Sequence, residues 1–499
     1  MLGWLGALPL AGCTRARRAD DDPLELLAFG EASSVDPRFV TDVYGLRIAR
    51  LAFATLAAPH PDTLRPEPWL AEALDDDDDG AVIATLRADA CFHDGTPIRA
   101  RDVLATWRAL GDPTLGSRMR RVVEQLAAVE ALDGEQGLRV RFVPRVPRAI
   151  LRGDLDQPVL KADEALRPRG APLTGSGPYA LVDWRAGAVA LSPASSFARW
   201  GGAKARRAVV VRTVRDETAR ALRLLAEAAD VASNVLPPPL ALALPRSADA
   251  PAGLTVVQRA APSTTFLGFH VERPPLDRAE VRRAIAQSID RDALLAAILG
   301  GAGSVADGLI PPILDLAAAH PAPRPFNPSA AREVLAPLGA GGSRLTLVVL
   351  AQRGRVELAR AIGQMIGDAG LPVDVRSFEL GTLLARLDGG SFDLAIQSVG
   401  ELVDPELWRW HLGSRSLPPQ GLNRGRVRDP EVDALLDRGL GTLDRAARAP
   451  IYAALEARVH ERCWVAPLLH EAHVAVVGRR AAGFTPSADG RWGAIARVG

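Results

Sequence analysis

The stretch that decides the fold is residues 345–399, LTLVVLAQRGRVELARAIGQMIGDAGLPVDVRSFELGTLLARLDGGSFDLAIQSV, in which short apolar segments alternate with amphipathic ones. The segments with the length and composition of buried strands are Leu345–Leu350, Val373–Phe378 and Phe392–Val399. The segments with apolar residues at helical spacing are Val356–Asp368 and Gly381–Leu387. This βαβαβ run predicts an α/β fold with a parallel sheet and right-handed crossovers.

A ligand site is expected at one edge of this predicted sheet. In open α/β sheets, ligands bind beyond the carboxyl ends of the strands. Loop 400–405 follows the third predicted strand directly. We therefore expect this loop to contribute to a binding site.

Length, charge and cysteine content limit the possible classes of protein. A chain of 499 residues exceeds what one hydrophobic core usually supports, so two or three structural units are expected. With 60 Lys and Arg against 59 Asp and Glu, the net charge of +1 disfavours a nucleic-acid role and broad attraction to anionic membranes. The three cysteines are too few for a disulfide framework, and we expect Cys91 and Cys463 to be buried thiols rather than a pair.

The N-terminus has the features of an exported lipoprotein. Residues 2–10 form an apolar run that is too short to span a bilayer and suits the core of a signal peptide. The following Leu10-Ala11-Gly12-Cys13 resembles the bacterial lipobox, which predicts a signal peptide over 1–12, a lipid on Cys13 and a tether over 13–23. An apolar helix that contains this tetrad is the alternative. No basic residue precedes Cys13, so we expect the true start to lie upstream.

Several short motifs follow one another along the rest of the chain. They are Ser34-Val35-Asp36-Pro37, Leu86-Arg87 with Phe92-His93-Asp94-Gly95-Thr96-Pro97 and Asp102-Val103, Thr174-Gly175-Ser176-Gly177-Pro178-Tyr179 with Trp184, Val281-Arg282-Arg283-Ala284 with Ile289-Asp290-Arg291, Phe326-Asn327-Pro328, Asp404-Pro405, Asn423, and Asp429-Pro430-Glu431-Val432-Asp433. In these motifs and their order the chain resembles the extracellular solute-binding proteins of family 5, which serve peptide and nickel ABC importers. The likeness covers nearly the whole chain after the tether.

This resemblance implies a fold and a division into domains. The expected fold is the two-lobed type II (cluster C) periplasmic-binding-protein fold, with an extra subdomain inserted in the N-terminal lobe. Lobe 1 would comprise residues 24–55, 170–265 and 464–499, the insert residues 56–169, and lobe 2 residues 266–463. A monomer is implied.

The resemblance also implies candidate ligand-binding residues. Peptide-binding members anchor the ligand's amino terminus with an aspartate before the Asp-Pro pair, and Glu401 occupies that place. Ser398 stands where the family usually has tryptophan, and the acidic residue is one methylene longer, so the ligand class stays open. The full candidate set is Glu401, Ser398, Asp404, Trp408, His270, Ser33 and Ser34. The alternatives are a solvated Glu401, a core position for Trp408 and a strand-end position for His270.

Metal binding and catalysis are not expected. His460 and Cys463 lie on a predicted helix, whereas His470 and His473 would point to opposite faces of a predicted strand, so the four do not converge easily. The sequence His470-Glu471-Ala472-His473 is one residue short of a metalloprotease motif. With no nucleophile elbow and no phosphate-binding loop in the sequence, we expect neither catalytic residues nor a cofactor.

The function expected from these features is that of a lipid-anchored binding protein of an ABC importer. It would capture a peptide or similar solute between two lobes and deliver it to permease subunits, at the periplasmic or outer face of the cell envelope. Its only contact with the membrane would be the lipid. The alternatives are a sensing protein that reports to a membrane receptor and, with less support, a periplasmic hydrolase on the same scaffold.

Overall fold

The structure is a computed structural model. It describes residues 18–77, 79–117, 119–145, 151–201, 205–314, 316, 324–400 and 404–498. The predicted signal peptide, Cys13 and Glu401 lie outside the described residues. None of the helices in the described part of the chain is long and apolar enough to cross a membrane.

The strands are given in chain order. They are β1 (Leu24–Ala28), β2 (Ala57–Pro59), β3 (Pro66–Pro68), β4 (Ala71–Asp76), β5 (Val82–Leu86), β6 (Leu126–Ala131), β7 (Arg139–Pro144), β8 (Tyr179–Arg185), β9 (Ala188–Pro193), β10 (Val209–Thr213), β11 (Val231–Ser233), β12 (Thr255–Ala260), β13 (Thr264–Phe269), β14 (Gly303–Val305), β15 (Leu345–Leu350), β16 (Val373–Phe378), β17 (Leu394–Val399) and β18 (Val465–Val477).

The helices complete the α/β architecture. They are α1 (Val43–Ala52), α2 (Ala100–Gly111), α3 (Arg120–Glu124), α4 (Leu151–Asp154), α5 (Glu217–Leu225), α6 (Pro238–Ala243), α7 (Ala279–Gln287), α8 (Arg291–Leu299), α9 (Pro328–Ala340), α10 (Arg353–Asp368), α11 (Leu380–Asp388), α12 (Trp408–Leu412), α13 (Pro430–Gly441) and α14 (Arg445–Arg462). The predicted βαβαβ run is confirmed as β15, α10, β16, α11 and β17, with β15 parallel to both of the other strands.

One large sheet runs through the molecule, and β18 is shared by its two halves. The strand order is β16-β15-β17-β13-β18-β11-β1-β10-β9-β8, with β12 and β14 also paired to β18. The first residues of β18 pair with β13, whereas its last residues pair with β11 and β12. The half on the β13 side and the half on the β11 side are called the second and the first half below.

Two segments of the chain connect the halves. Strands β12 and β13 pair in succession with the same strand β18, with Ala260 opposite Ala472 and Thr265 opposite Leu469. The segment between β12 and β13, residues 261–263, contains Pro262 and interrupts the strand. The chain thus passes between the halves at 261–263 and again through the middle of β18, and these two crossings are together called the hinge below.

A second, separate sheet has its own core. Strands β4, β5, β7 and β6 form it in that order, and its apolar side chains pack around Trp107 and Phe142. Phe197 and Trp200, which follow β9, complete this core. The core of this sheet thus includes residues beyond the predicted insert, 56–169. The domain boundaries stay predictions.

The glycines of the Thr174–Tyr179 motif allow a close contact with the end of α1. A Cβ on Gly175 would lie 2.2 Å from the Ala52 carbonyl oxygen, and one on Gly177 would lie 2.5 Å from that of Leu51. His93 holds the same loop, because its Nε2 lies 2.9 Å from the Gly177 carbonyl oxygen. This motif is therefore explained by packing.

Both described cysteines are free and buried, as predicted. Cys91 belongs to the core of the separate sheet and Cys463 to the core of the large sheet.

Candidate functional site

The carboxyl ends of parallel strands in both halves face the hinge. In the first half, β1 is parallel to β10 and β11, and the end of β11, Ser233, lies opposite Ala475 of β18. In the second half, the end of β17, Val399, lies opposite Thr264, the first residue of β13. Because ligands bind beyond such strand ends, the space between the halves is the candidate site, and we call it the cleft.

Four polar side chains form the floor of the cleft. The Thr265 hydroxyl donates to Oε1 of Glu471 at 2.5 Å and lies 2.8 Å from the Ser398 hydroxyl. Arg355, in the first turn of α10, donates from Nη1 to the Thr265 hydroxyl at 2.9 Å, and its Nη2 lies 2.9 Å from Glu471 Oε1. Thr265 is fully buried, whereas the side chains of Arg355 and Glu471 are 26% and 31% exposed. The floor therefore presents the paired charges of Arg355 and Glu471 and the exposed hydroxyl of Ser398 to the cleft.

An ion pair joins the two rims of the cleft. Glu217 begins α5 after β10 in the first half, and Arg353 begins α10 after β15 in the second half. The two side chains form an ion pair, and Arg353 also pairs with Glu357 within α10. The rims are therefore in contact in this structure.

The first half contributes an exposed aromatic ring at its strand ends. Phe29 follows β1 directly, is 48% exposed and stands edge-on to Tyr44, with the ring centroids 5.2 Å apart. Ser33, in the same loop, donates its hydroxyl to Asp42, the N-cap of α1. Ser34 is buried, and its hydroxyl accepts a bond from the Asp36 amide. Of the two predicted serines, Ser33 is the exposed one.

Asp404 is held in place by a buried arginine. Both of its carboxylate oxygens bind the buried guanidinium of Arg448, at 2.7 and 2.8 Å. Its Oδ1 also accepts a bond from the Glu406 amide and so caps the short helical turn 405–407. The carboxylate of this candidate is thus engaged by Arg448 and by the start of the turn 405–407.

Trp408 lies in the core of the second half. No part of it is exposed, its ring packs on Phe266 with the centroids 5.4 Å apart, and its indole N–H donates to the Leu309 carbonyl. Trp408 therefore occupies a core position, which was the alternative to contact with the ligand. Its downstream neighbour Trp410 is 38% exposed.

His270 lies at the opposite end of β13 from the cleft. It follows the last residue of β13, whereas the cleft is at the first residue of that strand. The buried ring stands edge-on to Phe392, and the His270 amide donates to the Asp393 carbonyl. His270 therefore occupies a strand-end position, which was the alternative to contact with the ligand.

The four His and Cys residues weighed as metal ligands have different surroundings. His460 and Cys463 line a small cavity at the end of α14. His470 Nδ1 lies 3.1 Å from the Thr264 hydroxyl at the hinge, and His473 lies against Gly490 in the C-terminal tail. Among the described residues, no group of three or more His, Cys, Asp or Glu side chains is arranged to hold a metal.

Sequence reasoning missed four residues that the structure places at the cleft. They are Arg355, Glu217 and Phe29, whose local sequence indicates only secondary structure, and Glu471, which was considered only as part of a metalloprotease-like motif. A usable signal was their place in the chain, because Phe29, Glu217 and Arg355 all lie within five residues of the carboxyl end of a strand. Glu471 gave no comparable signal, since it lies within a strand.

Comparisons with known proteins agree with this architecture. Residues 65–412 match the model of the bacterial extracellular solute-binding proteins, family 5. Probable di/tripeptide-binding protein 5 of Pseudomonas aeruginosa is 28% identical over 67% of this chain and 63% of its own, so the chain spans just under two thirds of that relative. Di/tripeptide-binding protein 2 of the same organism is 27% identical over 84% of each chain.

A solved structure shows the same fold. The ABC transporter substrate-binding protein CtaP of Listeria monocytogenes superimposes with a TM-score of 0.84 at 19% identity, covering 96% of this chain and 99% of its own. The predicted two-lobed type II fold is thereby confirmed, with the first and second halves as its lobes.

Proposed function

Since the chain belongs to the bacterial extracellular solute-binding proteins of family 5, we propose that it captures a peptide or similar small solute in the cleft and delivers it to the permease of an ABC importer. The family binds substrates rather than transforming them, so the protein is not an enzyme. Both Pseudomonas aeruginosa relatives carry the name di/tripeptide-binding protein, which supports a short peptide as the solute.

The observation that carries the proposal is the polar floor between two facing sets of strand ends. A free peptide has an ammonium group, a carboxylate and polar amides. Arg355 offers a cation for the carboxylate, and a charge-assisted bond of this kind is roughly twice as strong as a neutral one. Ser398, which is exposed beside Thr265, offers a hydroxyl group.

Glu401 is the proposed partner of the ammonium group. In the sequence Glu401 lies between the end of β17, Val399, and Asp404, and the position of Val399 opposite Thr264 supports a place for Glu401 at the cleft. We also propose that Ser33 and Phe29 contact the ligand from the first half. We assign structural roles to Asp404, Trp408, His270 and Ser34.

Capture would proceed by closure of the lobes about the hinge. A ligand that contacts both lobes binds the closed form better than the open form and therefore increases its population. The Arg353–Glu217 pair gives the closed form a further contact. The closed form is the one that the permease would recognise.

The test is to identify what the purified protein binds. Native mass spectrometry of freshly purified protein should show a stoichiometric, chemically intact ligand, and calorimetry should then show binding of di- and tripeptides such as Ala-Phe. Turnover of the bound ligand, or the absence of binding by any peptide or co-purified solute, would contradict the proposal.

The membrane anchor is proposed on the sequence of the N-terminus. We infer that Cys13 is diacylated and that residues 13–23 link the lipid to β1. The measurement is incorporation of labelled fatty acid by cells that express the protein, with Cys13→Ser as the variant. Labelling that persists in this variant would disprove the assignment.

A further inference from the structure

The loop between β2 and β3, residues 60–65, buries a single leucine. The loop is compact, because the Leu64 amide donates to the His60 carbonyl and the His60 amide donates to the Arg65 carbonyl, both at 2.9 Å. Residues 61–63 and Arg65 are exposed, whereas Leu64 is only 2% exposed. Leu64 is therefore the one apolar side chain that this loop buries.

The loop is attached to the first lobe at two points. Arg259, in β12, forms an ion pair with Asp62, and its Nη1 donates to the Pro61 carbonyl at 3.3 Å. The Ala488 amide, in the C-terminal tail, donates to the same carbonyl at 2.8 Å. Strand β12 pairs with the last residues of β18, and the tail packs on α1, which follows β1. Both attachments therefore belong to the first lobe.

The side chain of Leu64 lies with residues of the other lobe. Leu64 and Ala488 belong to a cluster of buried apolar side chains whose other members all lie in the second lobe. Two of these members, Phe266 and Val399, directly follow residues of the cleft floor in the chain. Leu64 is thus part of a contact between the lobes, next to the cleft.

The backbone at Leu64 is unfavourable for a leucine. Its φ of 59° lies in the left-handed region, which a residue of this kind rarely adopts and which costs free energy. Such a conformation persists where the surrounding structure enforces it. The burial of the Leu64 side chain is a contact that offsets this cost.

We propose that loop 60–65 is a latch between the lobes, and that insertion of Leu64 into the second-lobe cluster stabilises the closed form. Opening of the cleft about the hinge exposes Leu64 to water, because its loop stays attached to the first lobe. Burial of one leucine side chain stabilises a protein by more than an exposed ion pair does, so the latch contributes more to closure than the Arg353–Glu217 pair. This inference rests on lobe closure as the proposed mechanism of capture and is independent of the solute.

The test measures the separation of the lobes in solution without ligand. Leu64→Asn is the test variant, because asparagine adopts the left-handed region more readily than leucine but is not apolar. In small-angle X-ray scattering, the ligand-free variant should have a larger radius of gyration than the ligand-free wild type. Leu64→Met, which keeps an apolar side chain of similar volume, should have the radius of the wild type. If Leu64→Asn does not fold, Leu64→Ala takes its place.

Leu435→Ala is the matched control for this variant. Leu435 belongs to the same cluster and is also 2% exposed, but it lies on α13 within the second lobe. Its loss should lower the melting temperature and leave the radius of gyration unchanged. An unchanged radius in Leu64→Asn, or equal increases in Leu64→Asn and Leu435→Ala, would overturn the latch.

Calorimetry with Ala-Phe separates the latch from the proposed function. Leu64→Asn should weaken binding roughly tenfold, about 1.4 kcal/mol, since the ligand must then close the lobes without the latch. Leu64→Met and Leu435→Ala should bind as the wild type does. Equal affinities of wild type and Leu64→Asn would contradict the latch alone. If the wild type binds no peptide, the proposed solute is wrong, and the scattering result still decides whether the latch exists.

Discussion

Arg353 and Glu217 form an ion pair across the cleft, with Nη1 of the arginine 3.0 Å from Oε1 of the glutamate. Arg353 is 75% exposed and Glu217 is 32% exposed, so the pair contributes at most about 1 kcal/mol to the closed form and is screened by salt. We expect Glu217→Gln to weaken binding of Ala-Phe up to about fivefold at 50 mM salt and not at 500 mM, as measured by calorimetry.

Glu357→Gln is the matched control for this pair, because Glu357 pairs with the same arginine without crossing the cleft. It should leave the affinity unchanged at both salt concentrations. Equal effects of the two variants would show that the interlobe pair does not support closure.

Arg355, in the floor of the cleft, provides a test of how the ligand is recognised. Arg355→Gln removes the cation that we assign to the ligand carboxylate and should weaken binding of Ala-Phe by at least tenfold, about 1.4 kcal/mol. Arg360→Gln changes an exposed arginine on the same helix and should have no effect. Calorimetry on the two variants decides the matter, and an Arg355→Gln protein with wild-type affinity would refute the assignment.

Glu401 is tested by the charge on the ligand. Glu401→Gln should weaken binding of Ala-Phe by at least roughly tenfold, about 1.4 kcal/mol, because the amide does not attract an ammonium group as a carboxylate does. For N-acetyl-Ala-Phe, which has no ammonium group, wild type and variant should bind with the same affinity. If Glu401→Gln binds Ala-Phe as the wild type does, Glu401 is not the anchor.

The buried pair of Asp404 and Arg448 should be important for stability. Asp404→Asn leaves the guanidinium of Arg448 without its counter-ion in the core and should lower the free energy of unfolding by about 3–5 kcal/mol. Asp374→Asn, which breaks an exposed pair with Arg376, should cost no more than about 1 kcal/mol. Urea unfolding of both variants measures the difference, and similar losses would contradict the structural role of Asp404.

The buried His411 should make the folded protein less stable in mild acid. Burial and then the charge of Arg424 lower the pKa of His411 from 6.5 to about 4 in the folded protein. Between these pH values the unfolded chain takes up a proton that the folded protein does not. Stability should therefore fall as the pH drops from 6.5 towards 4, by up to about 1.4 kcal/mol per pH unit for this residue.

The variant that tests this effect is His411→Phe. It keeps an aromatic ring against Phe266 and Trp408 but has no group that takes up a proton. Its free energy of unfolding, measured in urea between pH 7 and pH 5, should change less with pH than that of the wild type. An unchanged slope would mean that His411 does not cause the acid sensitivity.

The α/β core was predictable because its signal is local. The strands β15, β16 and β17 are apolar over their length, and the helices between them have one apolar face each. The same signal placed the start of α10 at Val356, three residues after its actual start at Arg353. The turn that the prediction missed contains Arg353 and Arg355. The spacing of apolar residues does not reveal polar residues at the start of a helix.

The site was less predictable because it depends on pairing over long distances. No local pattern shows that residues 465–469 of β18 pair with β13 rather than within the first lobe. This pairing places Glu471 beside Thr265, more than 200 positions away in the chain. The positions of Trp408 and His270 likewise follow from packing against residues that are distant in sequence.

The position of β18 in the chain has a consequence for biosynthesis. The central strand of the large sheet is synthesised after all four strands that it pairs with, β11, β12, β13 and β14. Until then neither lobe has a complete sheet, and β11, β12 and β13 lack their common neighbour. Neither lobe can therefore complete its sheet before β18 is synthesised, a property that would suit the export proposed for this chain.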